Sequence, residues 1–393
     1  MSWNEDVAYA FTPYKVLTLP LGIWPLQEYN TFALVRWIVC GICLSASMIM
    51  LFLEIVFSSD EVYVKLDALV FLFCNIISVL KLLFFRLYAD NLTRNFSSAV
   101  NDYFAIDTEE ERMIMRRHAY MGKMICFIIV SFGYVASSMS ILTPLLASVE
   151  DIQLNASIEN QASKLPLPLT WTLGDFHMST NVFLLICMGQ YFLFVLNCIC
   201  DCGGDSLYLA IVLHVCGQIE LLKIEFANYG MKDKNTSAEF SKLACRHYYL
   251  IKHAKLLGDV TSFLWLVSML CCYLLICLIG FVLILAFKTN DIVMITKCIT
   301  VFITMLFQCF FYCFVGDYLK CQTEEIAHSI YSCNWHYLPM NLMTNILFAI
   351  MRSQQPVQFL AGGIFVVNIK TYMALIKSSL SYFSVLRVMV DED

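Results

Sequence analysis

Long apolar runs alternate with polar stretches along this chain, and the runs are of one size. They predict membrane-crossing helices near 33–57, 66–88, 122–147, 176–200, 263–287, 293–316 and 357–388, each close to the roughly 20 residues that a bilayer requires. Between them, residues 201–257 place Leu207, Ile211, His214, Val215, Ile219 and Leu222 at helical spacing but are too polar to cross. The same holds for 318–353. Spans four and five therefore continue as helices beyond the membrane. The seventh run differs from the rest. It carries Lys370, Lys377 and Arg387 among many small hydroxyls, and a cation facing lipid costs a few kcal/mol at the helix centre. Such a helix keeps one face wet, as one lining a pore or cavity does.

The chain is 60% hydrophobic and 14% charged, with a mean hydropathy of +0.71, against about 25% charged in soluble domains. The fold class expected is all-α, a polytopic membrane protein with seven transmembrane helices. The net charge of −6 gives no electrostatic footprint for nucleic acid. Met1–Phe11 lacks a basic start and an apolar core, so the first span is expected to serve as the insertion signal. Most of the 18 Cys sit inside apolar runs, where a free thiol behaves as a small hydrophobe. Cys198, Cys200 and Cys202 form a C-x-C-x-C run with no fourth ligand nearby, so no metal is expected.

Lys and Arg fix an expected orientation. With the N-terminus in the cytoplasm, seventeen of the 25 basic residues fall in inside segments, and the outside loops hold only Lys65, Lys164 and Lys288. The C-terminus is then extracellular. Asn155-Ala-Ser157 is a glycosylation sequon in a loop this topology places outside. G-protein-coupled receptors run the opposite way, and their Asp-Arg-Tyr and Asn-Pro-x-x-Tyr motifs do not occur here. A transporter built on inverted repeats finds no matching halves. No phosphate loop, nucleophile elbow or zincin helix occurs, so neither an enzyme nor a cofactor is expected.

Several short elements resemble the insect odorant receptor family. They are Gly22-Ile-Trp-Pro25; Lys81; Asp205-Ser-Leu-Tyr208 with His214 and Gln218; Glu324-Glu325, Ile330-Tyr331 and Trp335; and Arg352-Ser-Gln-Gln-Pro356, Ala361-Gly362, Thr371-Tyr372, Lys377-Ser378 and Ser381-Tyr382-Phe383. Each is weak alone; their order and spacing carry the resemblance. Gustatory receptors share the Thr-Tyr pair but carry Gln-Phe about where Lys377 and Ser378 stand. The chain is shorter than the family's shared co-receptor and resembles a tuning subunit.

The resemblance implies an odorant-gated, non-selective cation channel in the plasma membrane of olfactory sensory neurons. Four subunits, tuning chains mixed with the co-receptor, surround one pore amid membrane lipids. It divides the chain into a cytoplasmic segment 1–32, spans one to six over 33–317, a cytoplasmic anchor 318–355 and a pore-lining region 356–393. Carried over from the family, the gate falls on Val385 and Met389, with Ser378 and Ser381 on the same stripe. A volatile hydrophobic ligand is expected among Phe73, Tyr134, Ser138, Phe183, Cys187, Phe302 and Met305, since such pockets are mostly apolar with few polar groups. Glu324, Tyr331 and Trp335 are expected to serve subunit contacts, with Trp335 as a buried anchor.

Overall fold

The structure, a computed structural model, describes residues 5–28, 30–57, 62–153, 165–167, 180–230 and 236–392. Among them run ten helices: α1 Glu5–Thr18, α2 Thr31–Phe57, α3 Val62–Leu87, α4 Ala89–Phe104, α5 Glu109–Gln153, α6 Thr180–Ala227, α7 Thr236–Thr289, α8 Ile292–Tyr331, α9 Met340–Ser353 and α10 Ile369–Glu392. A two-stranded hairpin, β1 Leu360–Ala361 and β2 Phe365–Val366, precedes α10. Among the described residues, six helices, α2, α3 and α5 to α8, are long and apolar enough to cross a bilayer. The seventh span is α10. It carries Lys370, Lys377 and a run of serines between its apolar residues.

The spans begin and end close to the expected positions, with two differences. Residues 357–388 are not one helix. Gly362 and Gly363 both adopt positive φ (61° and 70°), the conformation of a tight hairpin turn, so the chain doubles back before α10 starts at Ile369. The N-terminal 1–32 region and the stretch after span two also carry helices that no apolar run announced. In α1, Val7, Ala10, Phe11 and Tyr14 are buried at i, i+3, i+4 and i+7. In α4, Leu92, Asn95, Phe96, Ala99, Val100 and Tyr103 repeat that spacing.

The helices α5 to α8 extend past the spans on the same side and gather with α1, α4 and α9 into a compact base. At its centre runs α6, which packs on α1, α2, α3, α4, α5, α7 and α8. Its residues Leu207, Ile211, Val212, Cys216, Ile219 and Leu222 are fully buried, so this part of α6 is enclosed on every side, with His214 and Gln218 as its buried polar residues. Charged pairs close the rim. Asp6 binds Arg112 (3.0 Å) and Arg116 (2.7 Å), His214 Nε2 meets Asp102 at 3.0 Å, and Arg246 reaches Glu225 (2.5 Å). At the far end, the mouth, α7 and α8 are joined by a short turn through Asn290, and Asp291 caps α8 by accepting from Met294 N at 3.1 Å.

Candidate functional site

Between the base and the mouth, α3, α5, α6 and α8 separate and leave a cleft of about 80 Å³. Phe71 and Cys74 of α3 line it, with Gly133, Ala136, Ser137 and Ser140 of α5, Phe194, Asn197, Cys198, Asp201 and Cys202 of α6, and Val301, Thr304 and Met305 of α8. Gly133 shapes the wall: a Cβ there would lie 2.7 Å from Cys198 Sγ and 3.1 Å from Cys202 Sγ, so only glycine lets α5 and α6 approach this closely. The hydroxyls turn their protons away from the space. Ser137 donates to Gly133 O (2.9 Å), Ser140 to Ala136 O (2.8 Å) and Thr304 to Thr300 O (2.9 Å).

The inner end of the cleft is ionic. Lys81 of α3, only 1% exposed, donates from Nζ to Asp201 Oδ1 (2.5 Å), Asp205 Oδ2 (2.7 Å) and Tyr312 OH (3.1 Å). Gln308 Nε2 of α8 donates to Asp201 Oδ2 (2.8 Å) and Asp205 Oδ2 (2.5 Å). Three spans are thereby joined through one cluster. Charges survive at such depth only when paired. Above the cleft, the short segment Leu165–Leu167 is pinned to the helices. Gln190 accepts from Leu167 N and donates to Leu167 O, both at 3.1 Å. Lys297 Nζ binds Asp67 (2.6 Å) and Pro166 O (3.3 Å). Leu167 packs in one cluster with Phe71 and Phe194, whose rings are 4.7 Å apart.

The pore candidate α10 has one bonded and one open side. Tyr372 packs on Phe310 (5.6 Å), Ser379 is buried, and Phe383 lies against Gly280 of α7. Ser378, Ser381 and Val385 are exposed, Val385 at 58%. At about 100° per residue they form one stripe, from which Lys377 lies about 100° round. Its inner end is fixed by the hairpin. Asn368 Oδ1 caps Thr371 N (2.8 Å), Thr371 Oγ1 donates to Val366 O (2.6 Å), Gly362 N donates to Ser262 O (2.9 Å), and Ser262 Oγ donates to Leu360 O (2.6 Å).

The sequence model described as 7tm Odorant receptor matches residues 61–380. The chain belongs to the odorant receptor family. Similar sequences include Odorant receptor 10 of Aedes albopictus, 20% identical across 75% of this chain and 77% of that protein. Odorant receptor 13a of Drosophila melanogaster is 26% identical across 48% of this chain and 49% of the other. These relatives are receptors, not enzymes. The fold of this odorant receptor matches the insect olfactory receptor OR5 from Machilis hrabei in complex with eugenol, with a TM-score of 0.78 at 14% identity over 96% of this chain and 99% of that one. The all-α seven-span architecture is thus common to both.

Of the residues expected around a ligand, Met305 lines the cleft of this odorant receptor and the other six lie outside its lining. Phe73 and Phe302 pack toward α7. Phe183 and Cys187 pack against Leu165. Tyr134 is exposed, and its OH accepts from Tyr191 OH at 2.8 Å. Ser138 is half-buried beside the lining residue Ser137. Asn155 falls outside the described residues, and Met389 belongs to α10. At the base, Glu324 and Tyr331 are exposed, while Trp335 is half-buried, 6.1 Å from the Tyr331 ring. Among the described residues, no group of three or more His, Cys, Asp or Glu is placed to hold a metal ion.

Proposed function

We infer that this odorant receptor is a tuning subunit of an odorant-gated cation channel, assembled around one pore with co-receptor chains. The single observation that carries the reading is a cleft walled by α8, which also packs on α10, a span with an exposed hydroxyl stripe. A ring of Val385 and Met389 closes the pore by dewetting, with Ser381 and Ser378 below. The receptor similar to this one in fold is described in complex with eugenol, a small volatile, which supports the same ligand size here.

The base supports assembly. Tyr248 and Tyr249 of α7 and Leu347 and Phe348 of α9 are exposed on helical extensions past the spans, with Phe348 at 63%. Apolar patches of this kind mark contact surfaces. In the charge-bias topology this end is cytoplasmic, so a neighbouring subunit, not lipid, covers it, with Tyr331, Trp335 and Glu324 at its edge. The N-terminus is then inside, the C-terminus outside, and the channel resides in the plasma membrane of olfactory neurons.

Whole-cell current from cells expressing the chain alone and with the co-receptor, challenged with volatiles, tests the reading. Fast current in the pair supports it, and leak without ligand in V385A supports the gate. Surface-expressed protein that stays silent to every volatile in both settings overturns it.

A further inference from the structure

We propose that the cleft selects volatiles bearing a hydroxyl group, which donates to Asp201 and accepts from Asn197; this rests on the channel-subunit reading for its biological meaning but not for its binding chemistry. The inference follows from counting donors and acceptors. An ammonium has three N–H bonds and a primary amide two. All three of Lys81 are taken, by Asp201, Asp205 and Tyr312, and Gln308 gives its two to Asp201 and Asp205. Neither Lys81 nor Gln308 has a proton left to offer a ligand, and Tyr312 is not part of the cleft lining. It does have acceptor capacity, since a carboxylate takes about four hydrogen bonds and Asp201, 14% exposed where it borders the cleft, receives one on each oxygen. One lysine faces two aspartates, so the inner end is also formally negative.

The lining hydroxyls point the same way. Ser137, Ser140 and Thr304 spend their protons on carbonyls of their own helices and present only lone pairs. Asn197 supplies the complement. Ser78 donates to its Oδ1 at 2.6 Å, which fixes the amide and leaves its NH2 without a partner among the described residues. Asn197 and Asp201 are four residues apart on α6, hence neighbours on one helix face roughly 5–6 Å apart. One donor and one acceptor at that separation match a single hydroxyl, which both gives and takes a hydrogen bond. A ketone or ester uses only Asn197, an amine uses mainly Asp201, and an alkane leaves both unmet. Phe71, Phe194, Val301 and Met305 hold the carbon skeleton.

The test measures binding by thermal shift of the purified full-length chain in detergent, and gating by current in cells co-expressing the co-receptor. The probes are 1-octanol, 2-octanone, octylamine and octane, with benzyl alcohol, benzaldehyde, benzylamine and toluene as a second skeleton. The expected order is alcohol first by about tenfold in apparent affinity over the matched carbonyl compound, the scale of one hydrogen bond to a charged group. D201N, which replaces the acceptor by an amide, abolishes that preference and leaves the carbonyl compounds unchanged or improved. N197A weakens alcohols but not amines, and serves if D201N does not fold. Equal or better binding of carbonyl compounds or alkanes by the native chain overturns the proposal, as does an unchanged alcohol preference in a folded D201N. Alcohol-selective binding without current under any condition upholds this proposal and overturns the channel reading instead.

Discussion

At the base, α6 is packed on all sides, and Leu207, Ile211 and Leu222 are sealed from solvent. Two turns toward the mouth the same helix faces a cleft, and its inward residues become Asn197, Cys198 and Asp201. One continuous helix thus serves as structural axis at one end and as binding wall at the other. The polar groups divide likewise. Base charges such as Asp6–Arg116 sit at the rim, partly in water, where a pair contributes little. The Lys81 cluster lies between the two regions and is desolvated. There, charges are costly unless every partner is present. The boundary of the two regions is therefore the place where a single change does most harm.

K81M breaks the comparison most severely. It strands Asp201 and Asp205 without their cation, and loss of one partner of a buried pair costs about 3–5 kcal/mol. Fluorescence-detected size-exclusion chromatography should show aggregation or loss of protein; a normal monodisperse peak would mean the cluster is not structural. Next comes one substitution made in both regions. A254F overpacks a fully buried site at the base and is expected to lower stability by roughly 1–3 kcal/mol. A136F points its ring into the cleft, so melting should barely change while every odorant response disappears. Similar melting losses in both variants would refute the division. The smallest effect is expected from Q190L. It removes both bonds to Leu167 at a cost of about 1–2 kcal/mol confined to the mouth. Current deactivation should quicken while the melting temperature moves little.

The spans were legible in the sequence because apolar length is a local property. The polar character of the last span was equally visible in Lys370, Lys377 and its hydroxyls. Lys81 drew notice, but its partner Asp201 lies 120 residues on, and an acid at the edge of an apolar run reads as the end of a span. That is why the fourth run was closed at residue 200 and the floor of the cleft was missed. The wall residues were missed by small rotations: Phe73 stands between Phe71 and Cys74, and Ser138 follows Ser137. One position is about 100° of a helix, which hydropathy does not resolve when all sides are apolar. The helices α1 and α4 were present as i, i+3, i+4, i+7 patterns in stretches too polar to resemble spans. The hairpin was signalled by Gly362-Gly363 but hidden inside an apolar run.

That hairpin sets the boundary conditions of α10 as a beam. Its strands are bonded to α7 through Ser262, and the first turn of α10 is bonded to the hairpin through Thr371. The inner end is clamped, with Phe383 against Gly280 as a support further along. Val385 stands sixteen residues beyond Ile369, about 24 Å along the axis. A rotation of about 5° at the clamp then displaces that side chain by about 2 Å, roughly the radius of a methyl group. On the pore reading proposed above, a slight rearrangement around the cleft that tilts this helix, with α7 moving alongside at Phe383, becomes a change of aperture at Val385 without requiring the helix to unwind or slide.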